Sequence, residues 1–83
     1  MPYFTIAAEH IREEALEDLA KELDDEFEIL MTGMDEMLTN YGIVVMYGTK
    51  KEANKIRDKM WKLNGGAACF ALEITEEQAD EYL

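Results

Sequence analysis

Apolar residues in this chain repeat in two rhythms, every second residue in some stretches and every third or fourth in others. The order in which the rhythms switch limits what the chain can fold into. Residues 3–8 (YFTIAA) alternate and carry β-formers, which predicts a strand. Pro2 lies just before it, where a missing N–H does no harm. Over 10–23 the spacing predicts a helix: Ile11, Ala15, Leu16, Leu19 and Leu23 share one arc, with Glu13, Glu14 and Glu17 opposite. Asp24-Asp25 is the expected stop, and 26–32 (EFEILMT) alternates as a second strand. Residues 33–40 fit either a long hairpin connection or a short helical turn around 35–38. Residues 41–48 (YGIVVMYG) are apolar on both faces, as in a central strand. Thr49-Lys50-Lys51-Glu52 is a capping box that opens a second helix, with Ala53, Ile56, Met60 and Leu63 on its inner arc. Asn64-Gly65-Gly66 ends it. A fourth alternating run follows over 67–74 (AACFALEI), and Thr75-Glu76-Glu77-Gln78 is a second capping box before a short terminal helix.

This order, βαββαβ plus a tail, predicts an α+β domain of the ferredoxin-like kind: a four-stranded antiparallel sheet with two helices on one face. A chain of 83 residues allows one domain, 1–83, in which 75–83 form an acidic tail helix. Alternation divides the sheet. Phe4, Ile6, Phe27, Ile29, Ile43, Val45, Phe70 and Leu72 are expected beneath the helices. Tyr3, Thr5, Leu30, Val44, Met46, Cys69 and Ala71 are expected on the open face, a set too apolar to stay wet. Of these, Tyr3, Leu30, Val44 and Met46 are the candidate sheet-face interface. The expected cover is the tail helix, through Tyr82 and Leu83, or a second copy forming a homodimer, ahead of another protein.

Charge narrows the partners. Nineteen acids against eight bases give a net charge of −11. Residues 9–28 carry ten acids and two bases, and 73–83 carry five acids and no base. Residues 50–62 reverse the sign, with six bases and two acids. Such an excess repels nucleic-acid phosphates and anionic membranes and attracts basic proteins. No apolar run approaches the roughly 20 residues of a membrane span, and the N-terminal residues have no signal-like pattern. A lone cysteine fits a reducing, cytoplasmic setting.

Little in the chain suggests catalysis, and no cofactor or metal is expected. The sequence has no serine and one histidine, His10, placed among acids as a surface residue. Cys69 lies in an apolar strand, where a quiet thiol is expected. Asp24-Asp25-Glu26 lacks the spacing of a calcium loop. Gly65-Gly66 follows a helix instead of opening one, so it cradles no phosphate. Lys51, Lys55, Lys59 and Lys62 form a basic stripe on the second helix, read as a solvated face beside the acidic first helix; Trp61 flanks the inner arc.

The acids are the remaining signal. Glu13 and Glu17 stand four residues apart, about 6 Å on one helix face, at a cost of a few tenths of a kcal/mol for the like-charged pair. With Glu14, Asp24 and Asp25 they form one candidate partner-binding patch, and Glu76, Glu77, Asp80 and Glu81 form another. In size, in its 9–28 acid cluster and in its acidic tail EITEEQADEYL, the chain resembles the phage-encoded inhibitors that mimic nucleic acid, the anti-restriction and anti-CRISPR class. The resemblance is one of profile, without a family motif. It implies a non-enzymatic inhibitor whose carboxylates occlude the basic nucleic-acid groove of a host protein. The basic second helix departs from that profile and points to a one-sided contact. The alternative is a ligand-responsive or homo-oligomeric regulatory domain of ferredoxin-like type, compatible with the open apolar face and with Gly65-Gly66.

Overall fold

A computed structural model describes residues 2–35 and 41–83. The elements run β1 (Tyr3–Glu9), α1 (Glu13–Glu26), β2 (Glu28–Met34), β3 (Tyr41–Tyr47), α2 (Lys50–Leu63), β4 (Cys69–Ile74) and α3 (Glu76–Glu81). The strands form one sheet in the order β2-β3-β1-β4, every neighbouring pair antiparallel. This is the ferredoxin-like α+β arrangement, with β1 and β3 central and a third helix at the end of the chain.

Both capping boxes form. The Glu52 N–H donates to Thr49 Oγ1 at 3.1 Å, and the Thr49 N–H donates to Glu52 Oε1 at 2.9 Å. Thr75 and Gln78 repeat the exchange at 3.2 and 2.9 Å. The stop after α2 also forms, with Gly65 and Gly66 at φ 69° and 83°, backbone that glycine adopts cheaply.

Several boundaries move. Asp24-Asp25 does not end α1, which continues through Glu26. Both aspartates are exposed on the outer arc, where nothing in their geometry opposes a helix. The helix ends instead at Phe27, extended at φ −130° and ψ 160°, whose buried ring turns the chain onto the sheet. The start lies later than His10, which sits at φ 60° in the turn after β1. β2 runs two residues beyond the expected 26–32 and is broken by a register shift between Ile29 and Met31, which leaves Leu30 as an extra residue. β4 begins at Cys69 instead of 67. Of the ambiguous 33–40, Gly33 and Met34 close β2, while 36–40 lie outside the described residues.

The faces of β3 and β4 are the reverse of those expected. Residues opposite one another in an antiparallel pair share a face. Ile6 lies opposite Val44 and Ala71, Phe4 opposite Met46, and Ala8 opposite Cys69. Val44 and Met46 are therefore fully buried beneath the helices with Phe4 and Ile6, and are not part of a sheet-face interface. Cys69 and Ala71 pack against the same core. Ile43 and Val45 look the other way, as do Phe70 and Leu72. Gly42 accounts for the phase of β3. A methyl group there would overlap Ile11 Cγ2 and press on Leu16, so only a glycine lets the start of α1 settle on the strand. Small residues do the same in β4. The Cys69 thiol reaches the Arg57 carbonyl of α2 at 3.4 Å. Phe4, Ile6, Phe27 and Ile29 lie on the helix side as expected, and Tyr3, Thr5 and Leu30 on the other.

The tail helix covers part of the second face. Ala79 is its buried contact, set against Ala7, Ile43 and Val45. The expected contacts, Tyr82 and Leu83, are both exposed.

Candidate functional site

α1 presents its acids as a continuous band. Leu16, Leu19 and Leu23 occupy the buried arc. At 100° per residue, Glu13, Glu14, Glu17, Asp18, Glu22, Asp24 and Asp25 fall on the opposite half-turn, with Lys21 among them. The helix carries eight acids and one base over 14 residues, or about 20 Å. That is one net charge per roughly 3 Å, close to the 3.4 Å spacing of phosphates along one nucleic-acid strand. All five candidate residues, Glu13, Glu14, Glu17, Asp24 and Asp25, are exposed. Among the described residues none of them forms an ion pair or a side-chain hydrogen bond.

The basic stripe of α2 engages this helix at one point. Lys59 Nζ donates to Glu22 Oε1 at 2.7 Å, and that hydrogen bond, with the charge of Glu22, raises the lysine pKa. The pair is largely solvated, so it adds little to stability. It joins the helices at the flank of a cavity of about 490 Å³, whose floor includes Ala15, Leu19 and Leu63. Lys51, Lys55 and Lys62 are exposed. Glu52 has its pKa lowered by the hydrogen bonds that Thr49 gives it in the capping box.

The second acidic patch, Glu76, Glu77, Asp80 and Glu81, is exposed on α3. α1 and α3 pack on opposite faces of the sheet, so the two candidate patches do not merge into one surface. Tyr3 lies beneath the second patch, its ring 4.8 Å from that of Tyr47. Burial, and then the negative charge of Glu76, raise its pKa.

His10 Nε2 lies 3.3 Å from Glu9 Oε1 at the exposed surface. Cys69 is half-buried, and burial pushes its thiol pKa up, which keeps it protonated near neutral pH. Among the described residues no three His, Cys, Asp or Glu side chains are grouped to hold a metal ion. No described helix is long and apolar enough to cross a membrane.

Sequence reasoning missed the surroundings of β4. Phe70 and Leu72 are 48% and 56% exposed, and Trp61 across the strand is 52% exposed. The available signal was the size difference within β4, where only Cys69 and Ala71 are small enough to lie close under α2. Thr5 lies on the expected face but hides a further feature. It is 7% exposed, and its hydroxyl has no hydrogen-bond partner.

Comparison with protein-family models, with curated proteins and with solved structures finds no match to this chain.

Proposed function

We propose that the protein is a non-enzymatic, acidic protein-binding module that occludes the basic nucleic-acid groove of a partner protein or defence complex. The observation that carries this reading is the band on α1, unpaired at its candidate residues and spaced along its axis much like a phosphate strand. Carboxylates so placed offer a basic groove what a nucleic acid offers it. Because α3 lies on the far face of the sheet, the groove contact itself falls to Glu13, Glu14, Glu17, Asp24 and Asp25. An inhibitor of the anti-CRISPR or anti-restriction kind, acting in the cytoplasm of a host cell, is the particular form we favour. The alternative of a homo-oligomeric or ligand-responsive domain calls for a copy to seal the second face, which α3 already partly covers.

The test is capture from a nuclease-treated cell lysate. Nucleic-acid-binding proteins should be retained at low salt and released both by added DNA or RNA and by rising salt. The Glu13→Lys, Glu14→Lys, Glu17→Lys triple variant should retain them at least tenfold less. Equal retention by the triple variant would remove the role assigned to α1.

A further inference from the structure

We propose that the outer edge of β4 is a docking site for an extended, basic segment of the partner, which adds to the sheet as a fifth strand. The proposal rests on the reading that the partner is basic and names how such a partner is held. β4 ends the sheet and pairs with β1 alone. The register fixes which of its backbone groups are free. The Glu9 N–H bonds the Ala68 carbonyl directly opposite, so alternation gives the ladder bonds to Phe70, Leu72 and Ile74. The N–H and C=O groups of Cys69, Ala71 and Glu73 therefore point outward, and among the described residues no backbone bond reaches them.

Edges of this kind are normally guarded by charge, proline or a bulge. β2, the other edge, has its bulge at Leu30. β4 (CFALEI) is regular and carries one charge. Exposed apolar side chains flank it on both faces, Trp61 on one and Phe70 and Leu72 on the other. A notch of about 380 Å³ beside the strand is lined by Trp61 and Cys69 together with the paired Arg57 and Asp58. On the opposite face Tyr82 stands between two hollows of about 330 and 270 Å³, both of which reach Thr5.

Charge selects the occupant. Residues 73–83 hold five acids and no base, which opposes a second copy with its own charge of −11. Thr5 lines both hollows, and Glu81 lines the larger one. A lysine or arginine of the added strand lays its apolar stem across Leu72 and brings its head to Glu81. Basic and apolar residues therefore alternate in the segment, the basic ones over the Leu72 face and the apolar ones beside Trp61.

The probe is a synthetic peptide of five Lys-Val repeats, titrated into the labelled protein at 150 mM salt and followed by amide NMR and hydrogen exchange. The control is the same peptide methylated at every backbone nitrogen, with equal charge and no N–H. Protection of the Cys69, Ala71 and Glu73 amides, a shift at Thr5, and binding about tenfold or more weaker for the methylated peptide are expected. Equal binding of the two peptides, or shifts confined to α1, would overturn strand addition while leaving the acidic-module reading intact. No binding by either would count against both. A peptide-free protein that sediments as a dimer with those amides already protected would assign the edge to a second copy and overturn the proposal.

Discussion

Asn64 and Thr5 illustrate opposite ways of burying a polar side chain. The Asn64 amide donates to the carbonyls of Glu9, Ala67 and Ala68 at 3.1 to 3.2 Å, and its oxygen accepts from the Gly66 N–H. One side chain thus ties the end of β1 to the turn that delivers β4. Removing it leaves buried backbone groups unmade, so Asn64→Ala should destabilise the protein by about 2 kcal/mol. The Thr5 hydroxyl makes no such bond, and its desolvation is uncompensated in the free protein. Thr5→Val keeps the shape and removes the orphan, and should stabilise by about 1 kcal/mol. Urea denaturation of the two variants should therefore move the midpoint in opposite directions. A loss of stability in Thr5→Val would mean that the hydroxyl already has a partner.

Among elements, some were written plainly in the sequence and others were not. The starts of α2 and α3 carry local chemistry, Thr49 with Glu52 and Thr75 with Gln78, and local chemistry can be read from a short window; α1 opens at Arg12 without a side-chain cap. The phase of β3 cannot, because Ile43 and Val45 are as apolar as Val44 and Met46. Its choice of face is set by Ile11 and Leu16 pressing on Gly42, a contact across about 30 residues of sequence. The charges of the candidate site were legible for the same reason as the caps. The separation of α1 and α3 to opposite faces was not, because it depends on where α3 docks. That docking rests on a small residue. Ala79→Leu overfills the space against Ala7, Ile43 and Val45, and should cost about 1–3 kcal/mol. Faster amide exchange over 76–81, with α1 and α2 unaffected, would show that the loss falls on α3. Unchanged exchange there would mean that Ala79 is not the anchor.

At the scale of the whole molecule, eleven net negative charges share a body of 30 × 26 × 20 Å. In 10 mM salt the screening length, about 30 Å, spans the entire protein, whereas at 150 mM it is about 8 Å. The acids of α1 and α3 therefore repel one another through the fold only when salt is low. Raising salt from 10 to 150 mM should lift Tm by on the order of 5 °C. A fall in Tm would mean that attractive pairs such as Lys59–Glu22 outweigh the repulsion.

The extra residue at Leu30 bears on valence. A sheet with two equally receptive margins is divalent and can propagate from chain to chain into a filament. Here one margin is regular and the other is interrupted. A strand added at β4 would therefore end the pairing after a single event instead of seeding a chain of copies.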